Sequence, residues 1–234
     1  GRGVIADPDW PNKVAGGQYQ DIRPCLACNE CRQSLFRLQP IRCSVNAAAG
    51  REGEIDDIRP AVTKKTVLVA GGGPGGMEAA RIAATRGHKV ILCEKQRQLG
   101  GLALLAGIHN EQVTAFVNWL IAQVKKLPVE VRLQTEVTPG LVQEIKPDAV
   151  ILANGGTFAT PEIKGIDGEN VFSAKDLLNL MNGIPLKKGL LLSAISSFAK
   201  HMVNPAIIGK MLESNFPIKK KVAIIGGQFP GCSL

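Results

Sequence analysis

The stretch from Val67 to Gly76 constrains the fold of this chain more than any other. It reads Val-Leu-Val-Ala-Gly-Gly-Gly-Pro-Gly-Gly, an apolar run followed at once by the pattern G-x-G-x-x-G at Gly71, Gly73 and Gly76. A short, continuous apolar run is typical of a strand that is buried on both faces of a parallel sheet. The pattern therefore predicts a βαβ unit whose first turn binds the diphosphate of a dinucleotide.

Each glycine of this fingerprint has its own physical task. Gly71 allows the tight turn, Gly73 leaves space for the diphosphate, and Gly76 lets the following helix pack closely on the strand. The helix begins near Pro74 and Gly75, and the free N–H groups of its first turn would face the phosphates.

The residues after the fingerprint complete the unit in the expected order. A helix is predicted from about Pro74 to Arg86, with Gly87 as its C-terminal glycine. A second strand, Lys89 to Cys93, then leads to Glu94. This carboxylate lies 23 residues after Gly71, close to the roughly 20 at which an acid meets a ribose hydroxyl. The plain alternative is a glycine-rich βα turn that binds no nucleotide.

Later patterns extend the same α/β organisation and predict a Rossmann-like domain with a parallel sheet. Leu99-Gly100-Gly101 is a second place where backbone can run beside a ligand. The further predicted elements are an amphipathic helix at Glu111 to Lys126, a strand at Val129 to Leu133, a helical turn at Val142 to Ile145, a buried strand at Asp148 to Ala153, and a helical pattern from Lys175 to Phe216.

The chain's net charge is +8, and aromatic residues make up only 4% of it. Apart from Lys219-Lys220-Lys221 the basic residues are scattered, which favours a solvated surface over a nucleic-acid site. No uncharged apolar run is long enough to cross a membrane. We therefore expect a cytoplasmic protein that binds neither nucleic acid nor membrane.

Four cysteines form the second informative pattern. Cys25, Cys28 and Cys31 are separated from one another by two residues, and Cys43 follows Cys31 after eleven intervening residues. In a cytoplasmic chain such thiols indicate metal or redox chemistry rather than disulfides. Three plus one thiolates suit an iron–sulfur cluster, whereas a structural zinc site more often pairs its cysteines two and two. Spacing alone leaves both possibilities open.

Arginines accompany these cysteines at positions 23, 32, 37 and 42. They would offset the negative charge of a thiolate-ligated cluster, or they are simply surface residues. Cys93 and Cys232 lie in or beside predicted βα elements, and we expect them to be packing residues.

The end of the chain begins a second unit of the first kind. A strand at Lys221 to Ile225 precedes Gly226-Gly227-Gln228-Phe229-Pro230-Gly231, in which Gln228 replaces the second glycine. The chain stops three residues later, and it does not begin with Met. We therefore expect a truncated piece of a longer protein.

Several motifs together resemble one enzyme family. They are Gly-Arg-x-x-Ile-Ala-Asp-Pro-Asp-x-Pro-Asn-Lys at 1–13, Arg-Pro-Cys-x-x-Cys-Asn at 23–29, Cys-x-Val-Asn at 43–46, Gly-Arg-Glu at 50–52, and the two glycine fingerprints. The chain is similar in these positions to the iron–sulfur flavoenzymes of the 2,4-dienoyl-CoA reductase, 2-enoate reductase and trimethylamine dehydrogenase type.

The resemblance implies a domain order. Residues 1–24 would be the remnant of an N-terminal (β/α)8 barrel that carries FMN, and 25–65 the iron–sulfur segment with a linker. Residues 66–186 would bind FAD or ADP, and 217–234 would start an NAD(P)H-binding domain. Residues 187–216 look like a helical insertion.

The resemblance also implies a set of cofactor contacts. Two departures, Asn154 in place of Thr and Leu102 in place of Gln, leave the choice between FAD and ADP open. By this likeness the 4Fe–4S ligands are Cys25, Cys28, Cys31 and Cys43, the diphosphate is held by Gly71, Gly73, Pro74, Gly75 and Gly76, the ribose by Glu94, and the rest of the site is lined by Gly101, Val137, Ala153 and Gly155.

The implied activity is a relay in which NAD(P)H reduces FAD, the cluster carries electrons to FMN, and FMN reduces an activated C=C bond. The substrate would be a small enoate or enoyl thioester, and the enzyme a possible homo-oligomer. No catalytic residue is expected in this segment. The alternatives are amine dehydrogenation with ADP in place of FAD, and a non-catalytic docking module that holds zinc.

Overall fold

The apolar run before the glycines forms the central strand of a parallel sheet. The computed structural model describes residues 1–55, 58–108, 110–156, 161–168 and 171–181. The sheet consists of β1 (Thr66–Ala70), β2 (Lys89–Glu94), β3 (Val129–Leu133) and β4 (Ala149–Leu152) in the order β3-β2-β1-β4. Every strand pair is parallel. This is the α/β fold that the sequence predicts.

The strand order contains a topological switch. The chain moves from β1 outward to β2 and β3, and then returns to place β4 on the other side of β1. In open α/β sheets a crevice forms where this direction reverses, at the carboxyl ends of the strands. Here that point lies between the ends of β1 and β4.

Helices and one 3₁₀ turn account for the other regular structure of the described residues. They are α1 (Arg2–Ala6), α2 (Trp10–Ala15), a 3₁₀ turn (Tyr19–Asp21), α3 (Glu30–Phe36), α4 (Glu52–Ile55), α5 (Pro74–Thr85), α6 (Ala103–Gly107), α7 (Glu111–Lys125), α8 (Pro139–Ile145) and α9 (Ala174–Met181). None of the described helices is long and apolar enough to span a bilayer.

Contacts divide the chain into two units. The first consists of Gly1–Gly101 and Gln112–Asn154, and the second of Leu102–Glu111 and Gly155–Leu234. In the second unit α6 contacts α9, and the Ser173 hydroxyl donates to a carboxylate oxygen of Asp176 at 2.8 Å near the start of α9. The proposed insertion and the second glycine fingerprint lie outside the described residues, and the predicted domain boundaries remain predictions.

Helix α5 forms as its sequence predicts. Pro74 occupies the first turn, where its fixed φ suits a helix start. Gly87 follows the last turn with a φ of 86°, the left-handed conformation that ends many helices. The helix contacts β1 and β2. Its buried residues are mostly small, which permits close packing: Gly76, Met77, Ala80, Ala83 and Ala84.

Helix α8 covers the apolar side chains of a sheet face. Leu68, Ile91 and Cys93 form a buried cluster, against which α8 packs Leu141, Val142 and Ile145. Burial raises the pKa of the Cys93 thiol, so it remains a neutral packing group. This confirms the structural role predicted for Cys93, whereas Cys232 lies outside the described residues.

The predicted burial of the fourth strand is wrong. β4 occupies 149–152 as expected, but Leu152 is 77% exposed and Val150 is 39% exposed. β4 is an edge strand of the described sheet, with β1 as its neighbour. An apolar run predicts a strand, but its burial depends on neighbours that the run does not encode.

The N-terminal segment is fastened to α7 through Asp21. The Trp119 indole N–H donates to the Asp21 carbonyl oxygen at 3.1 Å, and Gln123 donates to a carboxylate oxygen of Asp21 at 2.8 Å. Lys126 donates to the same carboxylate. These bonds from Lys126 and Gln123 lower the pKa of Asp21.

Replacing a fully buried side chain tests this account of the core. Leu68 is 0% exposed, and Leu68→Ala should reduce the free energy of unfolding by about 2–5 kcal/mol. Leu152→Ala, on an exposed strand position, should cost less than about 1 kcal/mol. Chemical denaturation of both variants measures the difference, and equal losses would contradict the assigned burial.

The Asp21 contacts predict a pH-dependent contribution to stability. Because the folded pKa is depressed, this contribution exists above the unfolded pKa of about 3.9 and is lost as pH falls through the folded pKa. Asp21→Asn should lower the free energy of unfolding by roughly 0.5–1 kcal/mol at pH 7. The loss should vanish in acid.

Asp9→Asn is the matched control for this measurement. Asp9 bonds only locally, accepting from the Asn12 side chain at 2.8 Å, so it ties no distant segments together. Urea titrations of both variants at neutral and acid pH should separate them. A pH-independent effect of Asp21→Asn would show that charge is not the cause.

Candidate dinucleotide and thiolate sites

The glycine fingerprint lies at the switch point of the sheet. The Ala153 N–H donates to the Ala70 carbonyl at 2.8 Å, which continues the β1–β4 pairing to the edge of the turn. Gly71 has a φ of 114°, and a Cβ atom there would overlap the Ala153 carbonyl oxygen. Only glycine fits, because both the dihedral angle and the close backbone approach exclude a side chain.

The remaining glycines divide into two kinds. A Cβ atom at Gly76 would overlap the Gly71 carbonyl oxygen and lie 3.2 Å from the Ala153 Cβ. At Gly73 and Gly75, in contrast, a Cβ atom would meet nothing within 4 Å. Gly71 and Gly76 thus allow backbone packing, whereas Gly73 and Gly75 leave space at the start of α5.

A second glycine segment runs beside the first. The Gly100 N–H donates to the Gly72 carbonyl oxygen at 2.9 Å. A Cβ atom at Gly101 would lie 3.1 Å from the Gly73 Cα. A Cβ atom at Gly72 would overlap the Leu99 side chain. The sequence does not predict this contact. The sequence signalled this segment only through its Leu-Gly-Gly pattern.

Glu94 braces the fingerprint turn. Its side chain is buried, and one carboxylate oxygen accepts the Gly72 N–H at 2.7 Å while the other accepts the Gln96 N–H at 2.8 Å. Each oxygen keeps a further lone pair. The carboxylate is therefore fixed at the end of β2 and can still accept a bond from a ligand hydroxyl.

The remaining predicted lining residues are less closely grouped. Val137 packs against the cluster of Leu68, Ile91 and Cys93, while Ala153 presents its backbone to Gly71. Gly155 belongs to the second unit and has a φ of 70° with open space at its Cα. Their contact with a cofactor remains a prediction.

These features can accommodate a diphosphate. A helix of 12 residues starts at Pro74, and the first N–H groups of a helix have no intrahelical acceptor. The open positions at Gly73 and Gly75 let an anion approach these donors, and the helix dipole favours negative charge there.

All four N-terminal cysteines line one pocket. Its empty space is about 280 Å³, part of it open to solvent, and its walls include Arg2, Cys25, Cys28, Cys31 and Cys43. The described cysteines are free thiols, in agreement with the sequence analysis. Within the described ranges, no three His, Cys, Asp or Glu side chains converge on a single metal-ion position.

The loop that carries the first cysteines is tightly wound. The Ala27 N–H donates to the Cys25 sulfur at 3.4 Å, and the Cys28 sulfur lies 3.2 Å from the Ser44 hydroxyl oxygen. Ala27 and Asn29 have φ values of 55° and 61°, in the left-handed region that non-glycine residues rarely adopt. Two such residues flank Cys28, and backbone conformations of this kind cluster at functional sites.

The arginines near the cysteines are not equivalent. Arg32, Arg37 and Arg42 are exposed, and the Arg32 guanidinium stacks 5.3 Å from the Phe36 ring. Arg23 is largely covered: its Nη1 donates to the Val45 carbonyl at 3.0 Å, and its guanidinium lies 5.0 Å from the Trp119 ring centre.

Comparison with known proteins identifies the family. The model of the FAD dependent oxidoreductases matches residues 66–146. NADH oxidase of Thermoanaerobacter brockii is 45% identical over 76% of this chain and 28% of its own length. Cinnamate reductase of Clostridium sporogenes is 41% identical over 76% of this chain and 27% of its own.

A solved structure agrees with these sequence relatives. The complex of 2-naphthoyl-CoA reductase with 2-naphthoyl-CoA has a TM-score of 0.72 and 38% identity, covering 76% of this chain and 28% of that chain. The chain belongs to this family of FAD-dependent oxidoreductases. The resemblance to iron–sulfur flavoenzymes seen in the sequence is confirmed.

Amine-oxidising proteins are also among the relatives of this FAD-dependent oxidoreductase. Dimethylamine dehydrogenase of Hyphomicrobium is 29% identical over 68% of this chain and 23% of its own length. The chain spans about 28% of the length of the first curated relatives that it matches.

Two glycine substitutions test the packing role assigned to the fingerprint. Gly76→Ala places a methyl group against the Gly71 carbonyl, and the backbone must shift, so we expect a loss of several kcal/mol. Gly75→Ala, one residue earlier in the same helix, meets open space and should be neutral or slightly stabilising. Thermal unfolding compares them, and equal stability of the two variants would refute the close packing.

Proposed function

We propose that this chain is the electron-input portion of an NAD(P)H-dependent iron–sulfur flavoprotein that reduces activated C=C bonds. The observation that carries the proposal is the presence, in one structural unit, of a dinucleotide turn at the switch point and a pocket lined by four cysteines. The names of cinnamate reductase and 2-naphthoyl-CoA reductase support this type of reaction.

The fingerprint residues would hold FAD. Gly73, Gly75 and the first turn of α5 would receive the diphosphate, with Gly71 and Gly76 allowing the close packing that shapes the turn. Glu94 is positioned by Gly72 and Gln96 and would accept bonds from ribose hydroxyls. Gly101 would line the site because its backbone runs beside Gly73.

The cysteine pocket fits a 4Fe–4S cluster in its donor set and surroundings. Four thiols line it, which is the ligand number that a cubane cluster requires. The buried Nε of Arg23 has no acceptor among the described residues, and its guanidinium bonds the carbonyl of Val45, which lines the pocket. Zinc, which also accepts four thiolates, is the competing occupant.

When bound, FAD would take a hydride from NAD(P)H, and the cluster would carry single electrons onward to FMN. The residues described here would bind and orient these groups and limit their contact with water. The substrate of the whole enzyme would be a small enoate or enoyl thioester. The enzyme would be cytoplasmic, would bind neither nucleic acid nor membrane, and would be a possible homo-oligomer. A reducing cytoplasm keeps thiols available as ligands.

Amine dehydrogenation with ADP in place of FAD is the second candidate. Dimethylamine dehydrogenase is a relative, and Asn154 and Leu102 depart from the family pattern in a way that leaves the choice between FAD and ADP open. Extraction of the bound nucleotide separates the two candidates, because FAD is yellow and ADP is colourless.

The role of Gly73 yields a binding test. Gly73→Ala should leave the melting temperature unchanged, since a Cβ atom there meets nothing, but the methyl group would crowd the diphosphate. We expect FAD affinity to fall by at least about tenfold, or about 1.4 kcal/mol. Gly140→Ala, in the first turn of α8, is the control for adding a methyl group to a helix start. Unchanged FAD affinity in Gly73→Ala would argue against the assigned diphosphate position.

The iron–sulfur assignment predicts about four irons per chain after anaerobic purification. Cys25→Ser or Cys43→Ser should lower the iron content, because a cubane loses one of its four ligands. Cys93→Ala should keep its iron, since Cys93 belongs to the sheet core. Metal analysis that finds one zinc per chain instead would reject the electron relay and favour a docking module.

A further inference from the structure

Arg23 is the one of the four cysteine-associated arginines that is fixed inside the unit. Its backbone N–H donates to the Asp7 carboxylate at 2.7 Å, and its guanidinium donates to the Val45 carbonyl at 3.0 Å. The Trp119 ring lies 5.0 Å away. Val45 and Cys43 both line the cysteine pocket, so Arg23 is anchored to the wall that carries the fourth thiol.

The carboxylates around Arg23 are already paired with other cations. The charges that act most strongly on Arg23 belong to Glu78, Arg81, Asp7 and Cys43, and burial lowers its pKa. Arg81 makes two bonds to Glu78, at 2.7 and 2.8 Å, and Lys13 bonds to Asp7 at 2.7 Å.

Glu78 and Asp7 are thus each bonded to another cation, and neither carboxylate accepts a bond from the Arg23 guanidinium. Its Nε is buried and has no acceptor in the described part of the chain. A largely covered cation without a bonded counter-ion is costly unless an anion completes its surroundings. The Cys43 thiol lines the same pocket as Val45, to which Arg23 is bonded, and as a metal ligand it would be a thiolate.

We propose that Arg23 is a counter-cation of the thiolate centre and raises its reduction potential. This inference rests on the proposed function, which assigns a 4Fe–4S cluster to the pocket. Reduction adds one electron to the cluster, and no bond or proton changes at Arg23. A fixed positive charge stabilises the more negative, reduced form, and net charge is one of the factors that set cluster potentials.

Burial separates Arg23 from the other arginines in this role. Arg32 directly follows Cys31 and also stacks on an aromatic ring, but it is exposed. Water and salt screen an exposed charge, whereas a covered charge acts through a lower effective dielectric constant. Arg32 is therefore the matched control, because it is a cation beside a cysteine whose charge should have little effect on the reduction potential.

The test is a potentiometric titration of the full chain, followed by electron paramagnetic resonance of the reduced cluster and with iron content measured in parallel. Arg23→Gln removes the charge but retains a donor for the Val45 carbonyl, and its midpoint potential should become more negative. Arg23→Lys keeps the charge, and its potential should stay near that of the wild type. Arg32→Gln should also match the wild type.

The outcomes separate this inference from the proposed function. A wild-type chain that binds zinc or no iron refutes the cluster itself. An iron-replete Arg23→Gln protein with wild-type potential overturns the role of Arg23 while leaving the cluster intact. If Arg23→Gln loses iron, the Arg23→Lys variant decides between charge and shape. Iron content and midpoint potential that stay at the wild-type level in Arg23→Lys support the role of the positive charge. Loss of iron in both variants shows that the shape of the arginine side chain matters, and it overturns the proposal.

Discussion

The close approach of Gly71 to the backbone of Ala153 is the contact on which the rest of the structure depends. It joins the end of β1 to the end of β4 at the point where the strand order reverses. Gly76 then packs against the Gly71 carbonyl and fixes the start of α5 over the sheet. The open positions at Gly73 and Gly75 exist because these closed positions hold the turn in place.

A second constraint connects the turn with its neighbours. Glu94 accepts the Gly72 N–H, and Gly72 in turn accepts the Gly100 N–H. The fingerprint turn, the end of β2 and the Gly100 segment are thus held together by hydrogen bonds from backbone N–H donors. Bonds that position a turn before a ligand arrives lower the entropic cost of binding it.

The cysteine pocket is joined to the same unit through different contacts. Asp21 is bonded to α7 by Trp119 and Gln123, and Arg23 lies between Trp119 and the Val45 carbonyl. The 3₁₀ turn before the cysteines therefore ties the pocket to the nucleotide-binding domain.

The sequence by itself determined the βαβ unit, the glycine turn and the set of four cysteines, because period, glycine placement and cysteine spacing are local properties. It also placed β4 correctly in the chain but not in the core, since the burial of Leu152 depends on which segments pack against β4 and not on the apolar run itself. Only the tertiary structure distinguished Arg23 from Arg32. Both are arginines near a cysteine, and what differs is the surrounding chain, which folding brings from distant positions.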